Sequence, residues 1–264
     1  MAATNGVPIL WQFRASHFNE KARWALDWKG VRHERRSLLP GPHAPVVLWL
    51  TGQTAVPVLQ MDGETIPDST RIIEALERRH PERPLYPTDS DARRRALDLE
   101  DFFDREIGVH IRRIVFHAVL PDSAFATELM TPGFPALTKT IYGACFPAVR
   151  AIMRYGMGIT DDGAARSLAR FEVAFDRLES ELGPSGYLVG DAFTVADLAA
   201  AALLSPLTLP PEYPYATPPL PPVALEFQGV GIDPFPSALR RLAHAFEALL
   251  QPAAPTFENP HPCR

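Results

Sequence analysis

Cysteine, excess basic charge and long apolar runs are all scarce in this chain, and each scarcity excludes a class of protein. The two cysteines, Cys145 and Cys263, are too few and too far apart for a disulfide framework or a four-ligand metal site. The net charge is −5, from 26 basic and 31 acidic residues, so the basic excess typical of nucleic-acid-binding proteins is missing. No apolar run reaches the roughly 18 residues of a membrane span, and no basic residue opens a signal peptide. We therefore expect a cytoplasmic protein that binds neither nucleic acid nor membrane.

Proline is the residue type in excess, with 28 copies in 264 residues, about twice the usual share of ~5%. Three prolines fall within residues 81–88, which excludes a regular helix and predicts a linker. We therefore expect an N-terminal domain at 1–80 and a C-terminal domain at 89–264. Residues 205–236 hold ten prolines and few charges. This composition predicts a semi-rigid excursion that packs over a cleft or a dimer surface and helps to form an apolar pocket.

The first 80 residues switch between the periodicities of strands and helices. Residues 7–13 alternate as a strand does, and the stretch after Ser16 places its apolar side chains on one helical face. Further strands are predicted at 31–38, 56–60 and 64–66, followed by a helix at 69–80. This order predicts a small sheet covered by helices, which is an α/β domain.

The rest of the chain shows helical periodicity and no convincing strand, so we expect an all-α domain. The predicted helices lie at residues 89–119, 136–156, 162–182, 194–205 and 237–250. The first helix carries a stripe at helical spacing that is expected to be mostly core, with some members facing a cleft. The stripe consists of Phe102, Phe103, Glu106, His110 and Arg113.

At Ser16 a strand is followed by a helix, a junction that suits the binding of an anion. A helix N-terminus presents free N–H groups and the positive end of the dipole, and a hydroxyl there can donate to an anion such as a thiolate. The simpler interpretation makes Ser16 the helix N-cap, and the two roles are compatible. His17 is a candidate base, although an isolated histidine is more often packed or exposed. Lys21 and Arg23 are more often solvated or ion-paired than ligands.

Two further pairs, Val56-Pro57 and Asp68-Ser69, suit a ligand built like an amino acid. A proline in a strand pattern lies at a sheet edge or follows a cis bond that turns the preceding main chain outward. Asp68 and Ser69 open a predicted helix, so helix capping explains them as well. In a binding role, the Ser69 hydroxyl and free N–H groups would hold a carboxylate, while Asp68 would pair with an ammonium.

These motifs, taken in this order, resemble the cytosolic glutathione transferases. The pattern Ser-x-Phe-x-x-Lys-x-Arg-x-Ala-Leu begins at Ser16 and is followed by Val-Pro-Val-Leu, Asp-Gly and Asp-Ser. Residues 190–198 resemble the capping box of that family, in which Thr194 caps a helix and Asp197 reaches back to the Thr194 N–H. The resemblance spans residues 7–250, and its specificity comes from the presence of all four signals in the order of the family.

The resemblance implies a thioredoxin-like N-terminal domain, an all-helical C-terminal domain and, usually, a homodimer. It also implies glutathione as co-substrate in a cleft between the domains. The Val56 main chain would hold the cysteinyl unit beside a cis Pro57, and Asp68 with Ser69 would hold the γ-glutamyl end.

The residue beside the glutathione sulfur is a tyrosine, a serine or a cysteine in different classes of this family. The first tyrosine here is Tyr86 and the first cysteine is Cys145, both beyond the N-terminal domain, so the resemblance leaves Ser16 as the catalytic residue. For the glycine end, His43 and Gln53 lie in the right region but carry no motif.

The implied function is a glutathione S-transferase in which Ser16 activates the glutathione thiolate for attack on a small hydrophobic electrophile. Within the enzyme class, the alternative is a glutathione-dependent isomerase or reductase. Outside that class, the fold serves as a non-catalytic binding or dimerisation module, in which Ser16 and Ser69 are only helix caps.

Overall fold

The computed structural model describes residues 6–208 and 213–215 of the chain. Its N-terminal part contains a four-stranded mixed sheet with the strand order β2-β1-β3-β4. β1 pairs in parallel with β2 and antiparallel with β3, and β3 pairs antiparallel with β4. The strands are β1 (Ile9–Gln12), β2 (Glu34–Ser37), β3 (Val58–Met61) and β4 (Glu64–Pro67). This sheet confirms the predicted thioredoxin-like arrangement.

Three helices accompany the sheet: α1 (His17–Trp28), α2 (Ala44–Thr51) and α3 (Ser69–Arg79). α1 and α3 agree with the predicted helices. Each has a periodic apolar face in the sequence, and the core buries that face. α2 lies between the strands predicted at 31–38 and 56–60, in a stretch for which the sequence predicts neither helix nor strand. Its sequence, Ala-Pro-Val-Val-Leu-Trp-Leu-Thr, has no polar face and therefore shows no helical period, and Val47 alone is buried.

The C-terminal part is all-helical over the described residues, as predicted. Its helices are α4 (Ser90–Phe103), α5 (Val109–Val119), α6 (Ser123–Met130), α7 (Ala136–Met157), α8 (Asp161–Glu181) and α9 (Val195–Thr208). α6 was missed, and α9 runs three residues beyond its predicted end, through Pro206. The predicted helix at 237–250 and most of the proline-rich excursion lie outside the described residues. Within the described part, no helix combines the length and the hydrophobicity needed to cross a bilayer.

The predicted helix at 89–119 forms with one irregularity. Residues Asp104–Gly108 make a π-helical turn between α4 and α5. A π-turn inserts an extra residue and so changes which side chains share a face. Here it holds the Asp104 carboxylate against Lys21 of α1, with 2.6 Å between Oδ2 and Nζ. It also brings Gly108 so close to Phe18 that a β-carbon at position 108 would lie 2.6 Å from that ring.

One hydrophobic core contains residues from both halves of the chain, including Leu10, Leu59, Phe103 and Leu203. The predicted linker at 81–88 contributes to this core. Its Leu85 is fully buried, and the Glu77 carboxylate accepts hydrogen bonds from the Leu85 and Tyr86 N–H groups. The domain limits at 80 and 89 stay a prediction, but the two halves pack as neighbours.

Candidate active site

The sheet brings Ser16, the Val56–Pro57 pair and the Asp68–Ser69 pair together at one end of its strands. Ser16 follows the C-terminal end of β1, and Pro57 precedes the N-terminal end of β3. Because β1 and β3 are antiparallel neighbours, these two ends lie side by side. β4 runs antiparallel to β3, so Asp68 and Ser69, which follow β4, lie at the same end of the strands. The topology therefore groups residues that are about 50 positions apart in the sequence.

Ser16 occupies the N-cap position of α1, but its hydroxyl does not cap the helix. Its backbone is extended, with φ −151° and ψ 122°, and its carbonyl accepts the Glu20 N–H at 2.9 Å. The side chain makes no hydrogen bond to any residue that the structure describes. The expected capping role of the hydroxyl is therefore not observed. The hydroxyl is left available to a ligand at the positive end of a 12-residue helix.

The Val56–Pro57 peptide bond is cis, as the resemblance implies. The Pro57 carbonyl is occupied, since it accepts the Asp68 N–H at 3.1 Å. The N–H and C=O of Val56, by contrast, have no partner among the described residues. A free main-chain donor and acceptor just before the start of a strand can pair with the backbone of a bound peptide.

Asp68, rather than Ser69, caps α3. Its Oδ1 accepts hydrogen bonds from the Thr70 N–H at 2.9 Å and the Arg71 N–H at 3.3 Å. Asp68 has a φ of +77°, an uncommon conformation for a residue with a side chain. Ser69 is the first helical residue, and its hydroxyl makes no hydrogen bond within the described part of the chain. The interpretation of Ser69 as a cap is thus wrong, and its hydroxyl is unused by the fold.

His17 is a structural residue rather than a base. Its Nε2 lies 2.8 Å from the Gly108 carbonyl oxygen, so this nitrogen carries the proton and donates. Burial lowers the pKa of His17 to about 3, and the nearby Arg112 guanidinium opposes protonation further. The imidazole is therefore neutral across the physiological range.

Lys21 and Arg23 form ion pairs, but in the core instead of on a solvated face. Lys21 Nζ lies 2.8 Å from Glu100 Oε1, in addition to its contact with the π-turn. Burial alone would lower the pKa of Lys21, but the two carboxylates outweigh it and raise the pKa. Arg23 pairs with Glu20 and donates to Gln12 Oε1 at 2.6 Å. Both cations stay charged and fix the position of α1.

Two tyrosines of the proline-rich excursion pack against the loop that precedes Ser16. The Tyr213 hydroxyl donates to the Arg14 carbonyl at 2.8 Å, and Gln12 Nε2 donates to the Tyr215 hydroxyl at 2.5 Å. Burial raises the pKa of Tyr213 to about 12, which keeps its hydroxyl protonated. Both tyrosine hydroxyls are therefore engaged with the segment that leads to Ser16, and the choice of Ser16 over a tyrosine as the catalytic residue stays a prediction. Residues 213–215 thus contact the segment before Ser16, while the predicted role of the excursion in an apolar pocket stays a prediction.

His43 and Gln53 are engaged locally. His43 Nδ1 accepts the Gly41 N–H at 3.0 Å, and Nε2 lies 3.0 Å from the Thr54 carbonyl oxygen. The Gln53 amide donates to the Ala55 carbonyl at 2.9 Å and accepts the Ala55 N–H. Both side chains thus shape the loop that leads to the cis bond.

Two polar side chains, one on α1 and one on α5, have no hydrogen-bond or ion-pair partner among the described residues, and nothing in the sequence distinguished them. Asn19, one turn into α1, is fully buried, and neither atom of its amide has a hydrogen-bond partner among the described residues. Arg112 on α5 lies with its guanidinium 5.9 Å from the centre of the Phe18 ring. It forms no ion pair within the described part of the chain. Unpartnered buried polar groups are uncommon in folded proteins, which sets Asn19 apart, whereas the Arg112 side chain is only half-buried.

Of the predicted stripe on the first C-terminal helix, Phe103 belongs to the hydrophobic core and Phe102 packs against that core. Phe103 and His110 are buried, and His110 Nδ1 lies 3.1 Å from the Ser167 hydroxyl oxygen. Phe102, Glu106 and Arg113 are half-buried.

The Asp197 carboxylate reaches back to the Thr194 N–H at 2.9 Å, as the resemblance implies. It also accepts the Leu188 N–H at 2.8 Å. The Thr194 hydroxyl bonds to the same carboxylate at 2.9 Å, which differs from its expected role as a cap for a backbone N–H. Asp197 is therefore structural.

Two family models match the chain. The N-terminal domain of glutathione S-transferase matches residues 10–84, and the C-terminal domain of glutathione S-transferase matches residues 161–249. Together they cover more than half of the sequence and leave residues 85–160 outside both.

The chain is also similar to curated maleylacetoacetate isomerases. A probable maleylacetoacetate isomerase of Caenorhabditis elegans is 33% identical over 100 residues, which are 36% of this chain and 47% of that protein. The maleylacetoacetate isomerase of Dictyostelium discoideum is 29% identical over 150 residues, covering 52% of this chain and 68% of that protein. The match to the first of these relatives thus spans about half of its length.

Solved structures show the same fold. A glutathione S-transferase of Methylobacterium radiotolerans, in complex with glutathione sulfonate, superposes with a TM-score of 0.60 at 22% identity, covering 91% of this chain and 90% of that one. A bacterial maleyl pyruvate isomerase of the zeta class superposes with a TM-score of 0.58 at 22% identity, covering 91% and 92%. With both family models in place and this fold around them, the chain belongs to the glutathione S-transferase family.

Proposed function

We propose that this protein is a glutathione-dependent enzyme in which the Ser16 hydroxyl stabilises the glutathione thiolate. The observation that carries the proposal is the hydroxyl itself, which sits at the N-cap of α1 without capping it. Because the fold makes no use of this group, the anion-binding role becomes the better explanation of a serine at that position. The proposed location is the cytoplasm, where the glutathione pool is kept reduced.

The other candidate residues at this end of the strands could bind a γ-glutamyl peptide. The free N–H and C=O of Val56 would pair with the main chain of the cysteinyl unit. Asp68 uses Oδ1 for capping, which leaves Oδ2 to pair with the α-ammonium. The Ser69 hydroxyl and the N-terminus of α3 would hold the α-carboxylate. This assignment is supported by the structural relative that holds glutathione sulfonate.

Ser16 would act on the acidity of the glutathione thiol. A free thiol has a pKa of about 8.5 and is only a few per cent ionised at neutral pH. A hydroxyl donor together with the helix dipole favours the thiolate and lowers that pKa. The sulfur would then form a bond to an electrophilic carbon, either as a halide leaves with its electron pair or as a conjugated double bond accepts the electrons.

Isomerisation is the second candidate, supported by the names of the curated relatives. Addition of the thiolate to a conjugated cis double bond leaves a single bond that can rotate. Expulsion of the thiolate then restores the double bond in the trans form, and glutathione is not consumed. An acceptor with a carboxylate suits this chain, because the Arg112 guanidinium near Phe18 has no ion-pair partner among the described residues.

Ser16→Ala, with Ser16→Thr as the matched control, tests the proposed role. In Ser16→Ala, we expect the pKa of the bound glutathione thiol to rise toward about 8.5. The kcat/KM for a chloronitrobenzene should fall on the order of 100-fold, the usual effect of removing one donor to a developing anion. Ser16→Thr keeps a hydroxyl and should therefore retain part of the lowered thiol pKa and part of the kcat/KM. The pKa is read from the ultraviolet absorbance of the thiolate.

Because the Ser16 hydroxyl makes no capping hydrogen bond, the melting temperature of the protein should hardly change in Ser16→Ala. A thiol pKa and a rate that both stay at wild-type values would contradict the proposal. Ser16→Cys should lose conjugation and gain exchange with mixed disulfides, because a cysteine at a helix N-terminus has a lowered pKa. A chain that a glutathione column fails to retain would instead be a non-catalytic module.

A further inference from the structure

The loop that carries Ser16, residues 13–16, has little main-chain support of its own. Regular backbone hydrogen bonding ends with β1 at Gln12 and resumes where the Ser16 carbonyl accepts the Glu20 N–H. The residues between, 13–15, form no backbone–backbone hydrogen bond within the described part of the chain. The direction of the Ser16 hydroxyl therefore depends on the side chains that hold this loop.

Two side chains from other elements hold the carbonyls of the loop. The Tyr213 hydroxyl donates to the Arg14 carbonyl at 2.8 Å. Arg23 of α1 reaches the same carbonyl through Nη2 at 3.4 Å and the Phe13 carbonyl through Nη1 at 3.3 Å. The tyrosine thus provides the short hydrogen bond, and the arginine provides two long ones. We call Tyr213 and Arg23 the loop clamp.

Both members of the loop clamp are themselves held in place. Arg23 is fully buried, pairs with Glu20 and donates to Gln12. Its guanidinium carbon lies 5.8 Å from the centre of the Tyr213 ring. Burial raises the pKa of Tyr213 to about 12, so its hydroxyl remains a donor throughout the pH range in which a thiol ionises. The loop clamp is therefore constant over the range in which the proposed chemistry operates.

The Arg14 side chain is held as well, by the connection between α6 and α7. Its Nη1 donates to the Pro132 carbonyl, and its guanidinium lies 4.3 Å from the centre of the Phe134 ring. The Tyr215 ring lies 5.4 Å from the same guanidinium. Arg14, two residues before Ser16, is thus fixed both by its side chain and by its carbonyl. A catalytic donor must be held within about 0.5 Å of its productive position, and this arrangement suits that demand.

We propose that Tyr213 is a positioning residue for Ser16, which fixes the peptide group between Arg14 and Ala15 and thereby aims the Ser16 hydroxyl at the ligand. The inference rests on the proposed function, in which that hydroxyl stabilises the glutathione thiolate. Tyr213 is assigned no contact with the sulfur, because its hydroxyl proton is already donated to the Arg14 carbonyl. Its effect on the reaction passes through the loop.

Tyr213→Phe, with Tyr215→Phe as the matched control, tests the inference. Both changes remove one phenolic hydroxyl and keep the ring, but the Tyr215 hydroxyl is bonded to the Gln12 side chain on β1. In Tyr213→Phe, kcat for a chloronitrobenzene should fall roughly 3- to 10-fold, the value of one neutral hydrogen bond. The pKa of the bound glutathione thiol, read from the pH profile, should rise by about 0.5 to 1.

The KM for glutathione should change less than about twofold in Tyr213→Phe, because the other proposed contacts of the peptide are untouched. Tyr215→Phe should match the wild type in kcat, KM and thiol pKa. Circular dichroism verifies that both variants are folded. A wild-type kcat and thiol pKa in Tyr213→Phe would overturn the inference, as would an equal loss in Tyr215→Phe.

The double variant Ser16→Ala/Tyr213→Phe shows whether Tyr213 acts through Ser16. Once the Ser16 hydroxyl is gone, adding Tyr213→Phe should lower kcat less than about twofold further, since two residues that act as a unit are not additive. A full additional loss in the double variant would mean that the Tyr213 hydroxyl acts on the thiol or the acceptor directly, and would overturn the inference.

A measurement without glutathione separates this inference from the proposed function. In Tyr213→Phe, the carbonyl-carbon NMR resonance of Arg14 should move upfield because the carbonyl loses its short hydrogen bond, and in Tyr215→Phe it should stay in place. Wild-type activity in Ser16→Ala would contradict the proposed function, and an upfield shift would then still support the loop clamp. An Arg14 resonance that does not move in Tyr213→Phe would overturn the inference whatever the activities.

Discussion

At the scale of single residues, the candidate site is distinguished by polar atoms that the fold does not use. The hydroxyls of Ser16 and Ser69 and the main chain of Val56 have no partners among the described residues. Lys21 and Arg23, which the same sequence motif contains, are fully committed to buried ion pairs. The sequence shows which residue types are present at the site. Only the three-dimensional contacts separate the atoms that support the fold from those that remain for a ligand.

Ser69 and Asp68 allow binding to be separated from capping. Ser69→Ala should weaken glutathione binding by roughly 1 to 3 kcal/mol, the cost of leaving a polar group of the ligand unpaired. It should leave stability almost unchanged, because Asp68 provides the cap. Asp68→Ala should cost about 1 kcal/mol of unfolding free energy through the lost cap. Calorimetric titration and denaturant unfolding measure the two effects, and unchanged affinity in Ser69→Ala would remove that residue from the site.

At the scale of secondary structure, contacts between α1 and the π-turn fix the position of Ser16. Ser16 begins α1, His17 donates to the Gly108 carbonyl, and Lys21 reaches Asp104 at the other end of the π-turn. The first turn of α1 therefore depends on the C-terminal helices for its position.

The buried His17 makes this contact sensitive to acid. Its pKa is about 3 in the folded protein and about 6.5 in the unfolded chain, so between these values only the unfolded chain binds the proton. The contribution of His17 to stability is complete above pH 6.5 and is lost as the pH falls, at up to about 1.4 kcal/mol per pH unit. His17→Gln keeps an N–H donor without a titrating group. The unfolding free energy of this variant should therefore fall less than that of the wild type between pH 6.5 and 4.5. Equal slopes would show that His17 does not titrate on unfolding.

The secondary structure was predictable where a segment is periodic and long. β1 alternates and the helices α1, α3 and α8 show a clear apolar face, whereas β2, with the sequence Glu-Arg-Arg-Ser, has no apolar alternation of its own. α2 lacks a polar face, and α6 has only eight residues, so neither shows a clear helical period. The π-turn departs from the helical period and has no sequence pattern of its own. These elements depend on tertiary packing, which no local pattern records.

The same limit applies to the site. Ser16, Val56, Asp68 and Ser69 could be proposed from short motifs and from their order in the chain. Tyr213 could not be placed near the site, because only folding returns a residue about 200 positions away to the loop after β1.

At the scale of the whole molecule, a buried charge cluster joins the two halves of the chain. Lys21 of α1 and Thr70 of α3 meet Glu100 of α4 and Asp104 of the π-turn. The ammonium and the Glu100 carboxylate are almost completely withdrawn from water. Such a pair adds little stability beyond that of an apolar contact, but the loss of one partner leaves a charge that the core cannot accommodate.

Lys21→Met should therefore lower the unfolding free energy by about 3 to 5 kcal/mol. The matched control is Arg94→Met, which breaks an exposed pair with Asp91 and should cost less than about 1 kcal/mol. Combining Lys21→Met with Glu100→Gln should recover part of the loss, since one unpaired carboxylate is then removed. Denaturant unfolding gives the three values, and a single-variant cost no larger than that of the control would contradict the buried-pair argument.

The charge cluster also limits which segments can be exchanged between relatives. A chimera joined at residues 81–88 would combine the ammonium of one parent with the helical half of another. It would fold only if that half presented carboxylates where Glu100 and Asp104 lie. The two halves of this protein must therefore match each other at this cluster, even though a proline-rich segment separates them in the sequence.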